Sequence, residues 1–415
     1  MGAHLTQLDL LTRVLFGLLE AISSRALAIP ALSSPGLVYE ACRREDRNLL
    51  HARRLWRWYA DKLDQRSGSP DSPRARTLRA ADELTWSCWK TALTSLGVAK
   101  GDLPAAPIPY LAPQFAASAT PRTDPPPDLR PGRKDDLLIR HVEKLPIPVI
   151  ALPPACERRP WWLILAAHEA SHHVQFESPG LQARTQEAVT DALGDDAGDW
   201  LPWCRELFAD TAAVLLTGPA TLWAIEELEM RDAPGLLVAP SGSYPPPLVR
   251  LAVARAVADQ AGLPARVPNN ADGVTADGKA RRLLASVPRV AGALLNLRAE
   301  TDGKLRSLAS TTLRGYDDGL IAGWEDQLLG LSEPVPEQGL AAARFCAAGS
   351  VAAWELVTAM DSEDAMDKSA QRLAARVLAV LPDCREPGTR AAAVAPDAVA
   401  LTRDILADLD AEAGS

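Results

Sequence analysis

Residues 159–176 read RPWWLILAAHEASHHVQF, and the rest of the chain is organised around this stretch. It carries His168-Glu169-Ala170-Ser171-His172, an HExxH pattern at the end of an apolar run. On a helix, positions i and i+4 lie on one face, one turn apart. His168 and His172 can therefore grip one metal ion from the same side. Glu169 sits about 100° round the helix, close enough to polarise a metal-bound water. The chain has six histidines, and a composition of this kind yields the pattern by chance about four times in a thousand. The helical context agrees. Pro160 suits a first helical position, and Trp161, Ile164, Leu165, His168, His172 and Gln175 form one stripe at helical spacing. The alternative is a pair of core histidines on an amphipathic helix. It leaves adjacent buried imidazoles without a shared partner, which is costly.

A catalytic zinc takes three protein ligands and leaves the fourth position to water. Residues 203–217, WCRELFADTAAVLLT, read as a second helix stopped by Gly218-Pro219. Glu206 and Asp210 are again i and i+4, so both carboxylates share one face. Glu206 is placed to reach the metal. Asp210 is placed to accept the N–H of a ligating histidine, fixing its tautomer and raising its basicity. The flanking Leu207, Phe208, Ala212, Val214 and Leu215 make this helix largely apolar. A carboxylate pair there needs a cationic partner.

With these two motifs the sequence resembles the gluzincin metallopeptidases, whose pattern is HExxH followed on a second helix by ExxxD. The segment Glu206-Leu-Phe-Ala-Asp210 is most similar to the third-ligand helix of the CAAX-prenyl-protease and HtpX-like branch. Residues 243–251, SYPPPLVRL, are similar to the Ser/Thr-His-Pro-Pro…Arg segment that follows it there, with Tyr244 where that pattern has His. A tyrosine hydroxyl is also a donor for a developing oxyanion. The resemblance spans about residues 146–251. It implies a zincin-like core, one Zn²⁺ held by His168, His172 and Glu206, and a peptide or protein substrate. Peptide hydrolysis would run through a zinc-activated water with Glu169 as general base.

Length and composition set the frame. The chain has 415 residues, with 47% hydrophobic and 23% charged content, as in ordinary globular proteins. A net charge of −9 argues against a general nucleic-acid binder. The cysteines at 42, 88, 156, 204, 346 and 384 include no CxxC, which reads as reduced thiols of a cytoplasmic protein. No run of 18 uninterrupted apolar residues occurs, so no transmembrane segment is expected. The N-terminal residues read as an amphipathic helix, with no basic leader region.

Four segments follow: a helical N-terminal region (1–100), a Pro-rich linker (101–137), a zincin-like catalytic unit (138–265) and a helical C-terminal region (266–415). The fold class is mainly α (α+β), a zincin-like core with a small edge-strand sheet between helical flanks. Helices are expected near 5–28, 37–65 and 72–96, and further along near 279–300, 303–330, 338–360, 364–381 and 396–411. Leu137 to His141 and residues 146–152 read as short strands. Pro146 and Pro148 confine the second to a sheet edge, where the resemblance implies pairing with extended substrate. His173 points about 100° from His172, outside the ligand set. Residues 194–199 read as an acidic turn. Residues 273–279, GVTADGK, nearly match a phosphate-binding loop, yet Ala280 stands where Ser or Thr should hold magnesium.

Two other function classes remain open. One is a latent or degenerate zinc-holding scaffold that uses its helical flanks to bind a protein partner. The other is a surface-binding module using the helix that carries Arg53, Arg54 and Arg57 interleaved with Trp56 and Trp58. Salt-sensitive binding to an anionic surface would reveal it.

Overall fold

The computed structural model describes residues 4–112, 118–120, 136–145, 147–229, 235–240, 242–264, 278–299, 303–332, 339–384 and 397–413. Three helices come first: α1 (Leu5–Ala28), α2 (Pro35–Leu63) and α3 (Pro73–Ser95). Strands β1 (Ile108–Leu111) and β2 (Ser118–Thr120), helix α4 (Asp136–Lys144) and strand β3 (Val149–Leu152) follow. Next are α5 (Leu165–Glu177), α6 (Leu181–Leu193), α7 (Cys204–Thr217), α8 (Pro219–Leu228) and α9 (Pro247–Ala261). The C-terminal part adds α10 (Gly278–Leu295), α11 (Ala309–Asp317), α12 (Leu320–Leu329), α13 (Ala342–Thr358), α14 (Glu363–Val380) and α15 (Ala398–Ala413). The protein is mainly α.

Local chemistry explains several helix starts. Ser34, Ser72 and Ser362 each accept a hydrogen bond from the backbone N–H three residues on, at Leu37, Ala75 and Ala365. Pro35 and Pro73 fill first helical positions, where a missing N–H costs nothing. The expected helix over 303–330 is broken in two. Gly319 adopts φ 70° between α11 and α12, a left-handed conformation that ends one helix and starts the next at a new angle.

The sheet is central to the packing. Its order is β1-β3-β2, with β1 parallel and β2 antiparallel to β3. Successive side chains point to opposite faces, and here each face meets a separate apolar core. Leu111, Ile150 and Leu152 join the larger core, built from α3 and α5–α14. Ile108, Tyr110, Val149 and Ala151 join a smaller core with α1, α2, α4 and α15. Burial on both faces is why β3 reads as a continuous apolar run. Packing does not follow chain order: α3 lies against α5, while α15 returns to α1 and is fixed there by a two-pronged Arg25–Asp410 bond of 2.7 and 2.9 Å.

Three expectations are corrected. Residues 137–141 form part of helix α4. Its buried Leu137, Leu138, His141 and Val142 recur at helical spacing. Strand β3 is the middle strand. The prolines do not exclude it from the centre, because Pro148 precedes the strand and contributes its carbonyl, which accepts from Ile108 N at 2.9 Å. The Pro-rich segment is more than a linker, since it supplies both outer strands. Pro109 is tolerated because β1 is an edge strand. Its outward-facing carbonyl accepts from Arg66 at 2.6 Å, and the Gln65 amide bonds both the N–H (2.8 Å) and the carbonyl (3.0 Å) of Leu111. The phosphate-loop pattern at 273–277 lies outside the described residues.

Helices α12 and α13 pack closely at Gly349, where an added Cβ would lie 2.6 Å from Trp324 Cβ and 3.1 Å from the Glu325 backbone nitrogen. Gly349→Ala is therefore expected to destabilise the protein by about 1–3 kcal/mol through overpacking, read as a lower urea midpoint. Gly36→Ala, with open space around the new methyl, is expected to be neutral or stabilising by up to about 1 kcal/mol.

Candidate metal centre

Helices α5 and α7 pack along one another. Ala167 and Ala170 on α5 and Ala209 and Ala213 on α7 are fully buried. A 3-10 turn, Pro160–Ile164, leads into α5, and its Trp161 stacks on Trp354 of α13 at 4.2 Å between ring centroids. This clamp orients the start of α5. Within the helix, Ser171 bonds back to the Ala167 carbonyl at 2.7 Å, which keeps its hydroxyl out of the site.

His168, His172 and Glu206 converge from the two helices. The His168 and His172 Nε2 atoms are 3.1 Å apart, and Glu206 Oε2 lies 3.4 Å from the first and 3.3 Å from the second. Each residue presents one donor atom, all within 4.8 Å of one another, and among the described residues no other set of three does so. The group is a possible metal-binding triad. The two rings stand edge to face at 89°. Glu206 Oε2 is buried with no hydrogen-bond partner, an arrangement whose cost a cation would remove.

Asp210 lies one turn beyond Glu206, with Oδ1 2.8 Å from His168 Nδ1. It is itself held by Arg250 from α9. Arg250 Nε and Nη2 bond its two carboxylate oxygens at 2.7 and 2.8 Å, and Nη1 reaches Glu229 Oε1 at 2.7 Å. Arg250 is buried. The sequence reading asked for a cationic partner to the α7 carboxylates, and Arg250 is that partner. In the sequence Arg250 stands out only as the arginine of the SYPPPLVRL segment, and Glu229 carries no signal. Tyr244, at the start of the same segment, is half-buried, with the Arg250 guanidinium 5.5 Å from its ring centre.

The electrostatics follow from these contacts. Burial alone would lower the His168 imidazolium, but Asp210 and Glu206 outweigh it and push it up to about 10. Burial would raise Asp210, yet Arg250 and then His168 hold it down at about 2. Glu206 is likewise driven well below the carboxylate range by the two histidines, against its burial. Glu169 moves the other way, raised above its ordinary value by burial and by Glu206. The Tyr244 hydroxyl is raised by burial and by the nearby Glu206 and Glu169 carboxylates, so it keeps its proton as a donor.

The structure thus brings His168, Glu169, His172, Glu206 and Asp210 together and sets Tyr244 beside them. His173 lies outside the cluster, buried, with Nε2 3.1 Å from the Val149 carbonyl. It ties α5 to the first residue of β3. The acidic turn at 194–199 is a 3-10 helix whose Asp199 pairs with Lys279 at 2.9 Å.

Removing Arg250 leaves two buried carboxylates facing each other. Arg250→Met is expected to cost about 3–5 kcal/mol of unfolding free energy, measured by urea titration. Arg250→Lys should recover only part of it, because an ammonium cannot make the two-pronged bond. No family model, curated protein or solved structure matches the chain.

Proposed function

We propose that the protein is a zinc-dependent metallopeptidase whose ion is held by His168, His172 and Glu206. The convergence of three lone-pair donors, with His172 and Glu206 buried and His168 half-buried, carries this reading. A tetrahedral ion with bonds of about 2.1 Å spaces its ligand atoms about 3.4 Å apart. The three separations here, 3.1, 3.3 and 3.4 Å, fit that spacing before any rearrangement. The donor set of two imidazoles and one carboxylate is that of a catalytic zinc with an open position, since structural zinc is normally closed by four protein ligands.

When bound, the ion supplies a Lewis acid that polarises a carbonyl and acidifies water. The protein residues do the rest. Glu169 takes the proton of the attacking water and delivers it to the leaving amine. Its raised proton affinity suits a group that must both accept and release a proton near neutrality. Asp210 fixes the orientation of His168, and Arg250 fixes Asp210. Tyr244 donates its hydroxyl to the oxygen that gains charge. Strand β2 borders the sheet on the side of α5 and offers extended substrate a main-chain edge, the role first read for β3. All six cysteines are free, which supports a cytoplasmic setting.

Metal content and hydrolysis should be measured together on the native protein and on Glu169→Gln. The expected result is one zinc per chain in both, with cleavage of unfolded casein or a peptide library only in the native protein, a loss of about 10²-fold or more. Protein purified without chelator and free of zinc would sink the proposal. Zinc in both with no cleavage would favour the latent scaffold.

Zinc uptake should also depend on pH in a defined sense. His168 in the metal-free protein is raised to about 10, so at neutral pH it must lose a proton to bind the ion. Apparent affinity is then expected to fall about tenfold for each unit the pH is lowered below that value. Zinc titration in two buffers of different ionisation enthalpy would register the released proton, and equal heats in both would refute it.

A further inference from the structure

The N-terminal helix pair carries an apolar and basic surface that the proposed peptidase chemistry leaves unused. Helix α1 packs one side, Leu11, Val14, Leu18 and Ile22, into the smaller core. Its other side is bare: Leu5, Phe16 and Leu27 are 61, 62 and 83% exposed. The segment Leu5–Ala31 is long and apolar enough to cross a membrane, yet only 22% of its most apolar window is buried. Because its inner side is fixed to the fold, the helix lies along the molecular surface.

Helix α2 completes the surface. Phe16 and Leu19 of α1 and Leu49, Leu50 and Trp56 of α2 line one groove of about 680 Å³. Arg53 sits within it and Asp46 is its one acidic lining residue. Arg43, Arg47, Arg54 and Arg57 recur at i, i+4, i+11 and i+14, a strip of the α2 wheel that includes Leu50 and adjoins Arg53, Leu49 and Trp56. All four are exposed or, for Arg54, exposed with a partner elsewhere. Within a chain of net charge −9, α2 holds seven basic and four acidic residues.

We infer that this face docks on an anionic lipid bilayer, with Phe16, Leu19, Leu50 and Trp56 at the acyl boundary and the α2 arginines on the phosphates. Two features favour a bilayer over a protein helix in the groove. The exposed apolar side chains extend well beyond the groove, from Leu5 to Leu27, about 33 Å along α1 at 1.5 Å per residue. Arginines lie both within the groove, at Arg53, and next to it along α2, so apolar and basic side chains would meet a membrane interface together. Charge complementarity selects anionic headgroups.

The test is cosedimentation of the full chain with vesicles of phosphatidylcholine alone or mixed with phosphatidylglycerol. Binding is expected to the mixed vesicles, weakened by added salt. Arg53→Glu with Arg57→Glu should reduce it at least tenfold. Phe16→Ser with Leu50→Ser should do the same, with an unchanged circular dichroism spectrum. Arg281→Glu with Arg282→Glu, an equal charge change on the exposed side of α10, should leave binding intact. Equal binding to both vesicle types, equal loss in the two charge-reversed proteins, or no binding would overturn the inference. So would sedimentation velocity showing a dimer that Phe16→Ser with Leu50→Ser dissolves, since the face would then be covered by a second copy.

Discussion

Helices α5 and α7 meet with ionisable side chains buried between them, and the rest of the structure is arranged to make that tolerable. Two imidazoles face Glu206 and Asp210 across the seam, with Glu229 close behind. Isolated charges in such a place would cost several kcal/mol each. Arg250 neutralises one carboxylate through a two-pronged bond and touches a second. In the metal-free protein a proton on His168 balances another. The cluster remains short of positive charge, and the unpartnered Glu206 Oε2 marks where. A cation bound there would meet three donors at once.

The surrounding elements hold this seam in register. The Trp161–Trp354 stack fixes the entrance to α5 from the C-terminal side of the chain. His173 fixes α5 to β3 from the other side. Helix α9 delivers Arg250. Distant parts of the sequence therefore converge on one pair of helices. This gives the helical flanks a structural reason to exist that is independent of any partner.

The fold class and the residues of the possible metal-binding triad are legible because their signals are local. His168 and His172, like Glu206 and Asp210, are four residues apart, and helical geometry alone puts each pair on one face. The amphipathic stripes of α2 and α3 were legible for the same reason. What was hidden depends on pairings across the chain. The position of β3 between β1 and β2 rests on residues about 30–40 positions upstream, and no spacing rule announces them. Residues 137–141 misled because a run of three apolar residues, Leu137 to Ile139, fits a strand and a buried helix face equally well. The sequence stated that the α7 carboxylates needed a cation. It did not state which of the 44 lysines and arginines would supply it.

The outer side of β1 carries a consequence for the protein's behaviour in a crowded solution. An uncovered strand edge is a template for pairing with other chains, and natural sheets blunt such edges. Here the blunting is done by side chains. Gln65 imitates a neighbouring strand by both donating and accepting at Leu111, and Arg66 takes the carbonyl of Pro109, which has no N–H to offer. The sheet is thereby made one-handed in its sociability. It discourages indiscriminate self-association along β1.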